Sequence, residues 1–98
     1  MRTVLITNNS YGIYYGEIDA SDADIVASKS VRVTNCRHVC RWYGGTGGVT
    51  SLAQWGPTAG KDNRIGEPVA SALITNVANV YDVPASAAAA FDAVKASR

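Results

Sequence analysis

The chain has 98 residues, 47% of them hydrophobic and 17% charged, and nine basic against eight acidic side chains leave a formal net charge of +1. Those proportions describe one folded domain over residues 1–98 and exclude a disordered chain, which is poor in apolar residues and rich in charge. A near-neutral balance is a poor match for a general nucleic-acid binder, which carries a basic surplus, and no apolar run of about 18 residues exists to span a membrane.

Fifteen of the apolar residues are Ala, whereas Val and Ile together number 17 against three Leu. β-branched side chains lose rotamer freedom in helices and pack well on pleated surfaces, so strands should dominate. The first residues turn polar too soon for a secretory leader, which sets a cytoplasmic expectation. Two cysteines cannot build a disulfide framework.

Residues 3–7 read as a short strand, and Asn8, Asn9 and Ser10 as a turn. Residues 11–18 form a second strand carrying two glycines, which mark a bulge or a close approach of another backbone. A polar connection covers residues 19–24, and residues 25–27 read as a third strand. Residues 31–42 form a fourth strand, long enough to bend. Gly44 to Gly48 make a flexible loop that leads into one or two helical turns over residues 49–55, stopped by Gly56 and Pro57. Residues 56–68 are mostly turn formers with a short strand at Arg64 and Ile65, and residues 69–81 read as the last strand region. Pro84 then opens a C-terminal helix whose apolar face is Ala87, Ala90, Phe91 and Val94, at i, i+3, i+4 and i+7. The expected fold is α+β: a small twisted antiparallel β-sheet or partly open barrel, with a short mid-chain helix and a C-terminal helix packed on it.

The densest chemical group is Cys36, His38 and Cys40, which share one face of a strand. Sulfur with imidazole is compatible with zinc, but a structural site needs a fourth ligand and no further Cys or His exists. The expectation is therefore no metal, with the cysteines acting as small hydrophobes beside a hydrogen-bonded His. Charge is polarised along the chain: residues 17–24 hold four acids and no base, and residues 29–41 hold four bases and no acid. Arg37 and Arg41 can clamp a phosphate or carboxylate if they point the same way, because guanidinium is a rigid donor fork. Trp42, Tyr43 and Trp55 offer stacking surfaces nearby, and Lys61 and Arg64 can join from the later loop. These seven residues are the expected ligand-binding set; the competing reading is a solvated sheet face paired with the acidic turn. The glycine loop lacks the Gly-Lys-Ser/Thr ending of a phosphate-binding loop. His38 has no nucleophile motif around it, so no catalytic residue and no cofactor are expected.

The segments Gly12-Ile13-Tyr14-Tyr15-Gly16-Glu17-Ile18, Asn35-Cys36-Arg37, Trp42 and Leu52-Ala53-Gln54-Trp55-Gly56-Pro57 resemble a family of small bacteriophage proteins of unknown function. Its members carry Gly-x-Phe-Phe-Gly-Glu-Leu, then Asn-Ala-Arg followed by Trp, then Leu-Ala-x-x-Gly-Pro, and the similarity runs over roughly residues 11–92. The pattern has Ala where this chain has Cys36, and a Cys before the basic residue where this chain has Asn63 before Arg64. The resemblance implies a non-enzymatic phage accessory protein in the host cytoplasm that counters a bacterial defence by binding. Sequestration of a nucleotide-type signalling molecule is favoured over direct, anti-CRISPR-like inhibition of a defence protein and over a structural virion role. A domain this small buries limited core and exposes sheet edges, so a homo-oligomer is expected.

Overall fold

The computed structural model describes residues 1–98, as seven strands and three helices. β1 (Arg2–Asn8) pairs antiparallel with β2 (Ile13–Ile18), and β2 with β3 (Val31–Arg41), the eleven-residue strand at the centre of the sheet. The far edge of β3 is shared. Its first half pairs with β5 (Val69–Ile74) and its second half with β4 (Arg64–Gly66). β6 (Val77–Asp82) lies outside β1, and the short β7 (Ala96–Ser97) runs parallel to β4. The sheet is thus open and mostly antiparallel.

One connection forces its shape. β5 and β6 sit at opposite ends of the order β5-β3-β2-β1-β6, which in a flat sheet is four steps and about 19 Å. Only Thr75 and Asn76 separate Ile74 from Val77, and three Cα–Cα steps reach about 11 Å. The sheet must therefore curl until those strand ends approach. Asn76 takes a left-handed backbone (φ 53°) in the link, and its carbonyl accepts from the Asn9 amide, which extends the β1–β6 pairing into the link. Residues 69–81 are accordingly two strands rather than one.

Curling divides the core in two. Val4, Ile6, Ile18, Val31, Val33 and Ile74 fill the inner face, closed by Ile25 of α1 (Asp22–Ser28). Leu5, Tyr15, Val39 and Ile65 form the outer face, covered by α2 (Val49–Trp55) and α3 (Ala85–Asp92) through Leu52, Ala53, Ala87 and Phe91. Val4, Leu5 and Ile6 are all fully buried because β1 is covered on both sides. Gly56, at φ 77°, ends α2 where a Cβ would lie 2.7 Å from that of Ala90, so the two helices meet there only through a glycine.

α1 replaces the strand expected over residues 25–27. The Ser21 hydroxyl caps the helix by accepting from the Asp24 amide, and Asp22 and Asp24 sit in the first turn, where carboxylates oppose the positive helix end. Those local contacts outweigh the strand preference of Ile25 and Val26.

Candidate functional site

β3 carries two irregularities, and each sets up chemistry. Tyr15 pairs with Arg37 but Glu17 pairs with Thr34, so β3 holds one extra residue opposite Gly16. Asn35 takes a left-handed conformation (φ 51°) in this bulge. The bulge presses β3 onto β2: a Cβ on Gly16 would lie 2.5 Å from Val33 Cγ1 and 2.9 Å from the Thr34 carbonyl oxygen. The same register turns Arg37 beneath α3.

Arg37 is 7% exposed, and its guanidinium donates to four carbonyls. Nε reaches Gly66 at 2.8 Å, Nη1 reaches Phe91 at 3.0 Å, and Nη2 reaches Val94 at 2.9 Å and Ile65 at 3.3 Å. One side chain therefore joins the C-terminal end of α3 to β4. A cation there also opposes the negative end of the helix. Arg37 faces no carboxylate within ion-pair range and does not join the other expected ligand-binding residues.

The second irregularity lies between Val39 and Arg41, and it brings Arg41 opposite Arg64. Both close on Asp62, Arg41 Nη1 at 2.9 Å and Arg64 Nη2 at 3.3 Å from the same oxygen. The hydrogen bonds from Arg64 and then Arg41 hold the Asp62 carboxyl below its ordinary range. The loop carrying Asp62 is fastened to β3. Asn63 Oδ1 accepts from the Tyr43 amide, Asn63 Nδ2 donates to the Thr58 carbonyl, and the Thr58 amide donates to the Tyr43 carbonyl. Arg41 and Arg64 thus meet at Asp62, on a loop that also carries Lys61 and is tied to the Tyr43 backbone. Trp42 instead packs half-buried against the outer core, and Trp55, 72% exposed, projects from the end of α2 three residues before Thr58.

A hollow of about 350 Å³ opens between this loop and the end of α3. Lys61 and Lys95 are its only charged lining residues; Ala90, Ala93 and Val94 form an apolar wall. Lys95 was not among the expected residues. It follows the helix by three positions and carries no local motif, so only the docking of α3 reveals it. The larger groove, about 660 Å³, runs along β2 and β3 under the other side of α3. It is mixed in charge. Glu17 and Asp92 face it, and the Tyr15 hydroxyl lies 3.0 Å from Asp92 Oδ1. Burial first, then the hydrogen bond to Asp92, drives the Tyr15 phenol well above its ordinary pKa. Lys95 lines this groove too, but two carboxylates oppose it and the Arg37 guanidinium is taken up by carbonyls, which makes the groove unfavourable for an anion.

No group of three or more His, Cys, Asp or Glu side chains is placed to hold a metal ion. Cys36 belongs to the inner core, where burial pushes its thiol pKa up, away from the thiolate that ligates metals. Cys40 and His38 are exposed, with Cys40 Sγ 3.6 Å from His38 Nδ1. No helix is long and apolar enough to cross a membrane.

Residues 1–91 match the family described as a domain of unknown function, DUF6948, and the chain belongs to that family. No curated protein and no solved structure matches it. The structure gives packing reasons for much of the motif that carried the resemblance. Gly16 admits the β3 bulge, Arg37 pins α3, Leu52 and Ala53 fill the outer core, and Gly56 lets the helices touch. Arg64 is the motif position left to the solvent-facing cationic surface.

Proposed function

We propose that this member of the DUF6948 family is a non-enzymatic binding module for a phosphate-bearing, nucleotide-type ligand, seated in the hollow between the 57–63 loop and the end of α3. The observation that carries this reading is the hollow's charge: two lysines and no carboxylate line about 350 Å³ of space, within the range of small-ligand sites. Lys61 and Lys95 supply point charges for phosphate, and the alanine and valine wall accepts an apolar face. Arg41 and Arg64 border the same loop, and the carboxylate now between them stands in for an anionic group in their donor forks. The role the phage resemblance implies is withdrawal of a nucleotide signal from a bacterial defence.

Isothermal titration with adenosine monophosphate and with a cyclic dinucleotide tests the site. Binding should be saturable, weaken as salt is raised, and fall at least about tenfold, or ~1.4 kcal/mol, in the Lys61→Ala/Lys95→Ala double variant. Equal affinity in that variant, with the fold intact, rejects the hollow as the site. The exposed indole of Trp55 and the exposed phenol of Tyr43 favour a second reading, direct binding of a protein partner through aromatic anchors. In that case Trp55→Ala abolishes capture of the partner and neither nucleotide binds.

A further inference from the structure

Cys40 and His38 play no part in that hollow, and neither is needed for the core. Both side chains are exposed, and His38 lies opposite Tyr14, which packs against the inner core. Cys40 sits at the second irregularity of β3, where the partner strand provides Arg64 and Ile65 for three residues of β3. Such bulges re-aim a side chain, and this one leaves the thiol beside its neighbour's imidazole. The His38 ring stacks on Tyr14 at 5.0 Å between centroids and 21° between planes, which restricts its swing. Nδ1 is the nitrogen turned to the sulfur, 3.6 Å away.

We infer that Cys40 and His38 are half of a tetrahedral zinc site that a second copy of this chain completes. Zinc bonds of about 2.3 Å to sulfur and about 2.0–2.1 Å to nitrogen, opened to the tetrahedral angle, separate the two ligand atoms by about 3.6 Å. The two atoms already stand at that separation. One chain cannot supply the rest. It has a single His, and its other Cys is in the core. Two copies related by a two-fold axis through the metal supply two thiolates and two imidazoles, a closed structural set, and leave no open position for chemistry. On binding, each Cys40 gives its thiol proton to solvent and each His38 ligates as the neutral ring through Nδ1, its other nitrogen keeping the proton. The site is independent of the lysine-lined hollow.

Native mass spectrometry of the reduced full chain, titrated with zinc and with cobalt as a spectroscopic substitute, reads the stoichiometry directly. The expected result is a dimer holding one metal ion, formed only with metal, reversed by a chelator, and showing thiolate-to-cobalt charge-transfer absorption. Cys40→Ser and His38→Ala should each lose the metal and the dimer, whereas Cys36→Ser should keep both. A one-to-one complex, a metal-independent dimer, or retention of metal by a folded Cys40→Ser variant overturns the proposal and leaves an ordinary thiol–imidazole contact. The Lys61→Ala/Lys95→Ala variant should still dimerise on zinc, which separates failure here from failure of the nucleotide reading.

Discussion

Arg37 is the side chain on which the fold reading can be tested hardest. Replacing it by Ala removes four donors at once. The bonds to Phe91 and Ile65 are buried; the Phe91 carbonyl keeps the Val94 amide as a donor, but a hydrogen bond from a charged group contributes about 1.5–3 kcal/mol. The Gly66 and Val94 carbonyls are part-buried and regain water, and the variant no longer has to desolvate a guanidinium. The net loss should be about 3–4 kcal/mol, a large share of the roughly 5–15 kcal/mol that stabilises a typical domain. At about 4–8 °C per kcal/mol for a chain of this size, the melting temperature should fall by at least ~12 °C. Urea unfolding gives the free energy. Hydrogen exchange should show the first added opening at the end of α3 and in β7, the segments that Arg37 ties down. Arg37→Lys keeps the charge but not the fork, so it should fall between the two. An Arg37→Ala variant that melts within a few degrees of the parent would show that the four carbonyls are not held as described, and would return Arg37 to the ligand-binding set.

Phe91→Ala deletes a fully buried ring stacked on Tyr15 at 4.3 Å and should cost about 3–5 kcal/mol in urea unfolding; a near-neutral shift would mean that α3 is not docked on the sheet. Gly16→Ala places a Cβ against the Val33 side chain and the Thr34 carbonyl and should cost about 1–3 kcal/mol as an overpacking change, whereas tolerance at wild-type stability would remove the bulge contact. The Tyr15 phenol has a folded pKa above its unfolded value, so its contribution is complete below the ordinary tyrosine pKa of about 10 and is lost as pH rises beyond it. Unfolding midpoints should therefore decline above about pH 10, and the decline should flatten in Tyr15→Phe. Asp62→Asn frees Arg41 and Arg64 from their shared carboxylate and should tighten adenosine monophosphate binding several-fold, with weakened binding counting against an anion at that surface.

What the sequence revealed depended on whether the signal was local. The C-terminal helix was legible because Pro84 and the spacing of Ala87 and Phe91 are visible along the chain, and both residues are buried as that spacing required. The glycines of β2 announced a close backbone approach, and Gly16 has one. α1 was missed because the β-branched pair Ile25 and Val26 outweighed a one-hydroxyl cap at Ser21, and Val26 proves largely exposed. The break within residues 69–81 depended on Asn76 adopting a left-handed turn, a choice that chain closure makes rather than propensity. In the site, Arg41 and Arg64 could be grouped by charge, but that they face each other across β3 and β4 came only with the fold. The fate of Arg37 could not, because backbone carbonyls as partners leave no side-chain signature.

The division of labour among the basic residues follows from the two irregularities in β3. A regular strand alternates faces, so Arg37 and Arg41, four apart, should point the same way and could share one anion. The register shift beyond Val39 ends that equivalence. It sends Arg41 to the strand end against Arg64 and Asp62, while Arg37 stays under α3. Removing the extra residue, by deleting Cys40, would leave Val39 opposite Ile65 and bring Arg41 directly after it, still opposite Arg64. The Arg41–Asp62 ion pair and the four bonds of Arg37 should then both survive. The deletion should therefore cost less stability than Arg37→Ala and leave adenosine monophosphate binding within a few-fold of the parent. If the deletion instead unfolds the chain as severely as loss of Arg37, the bulge is required for the packing between β3 and β4.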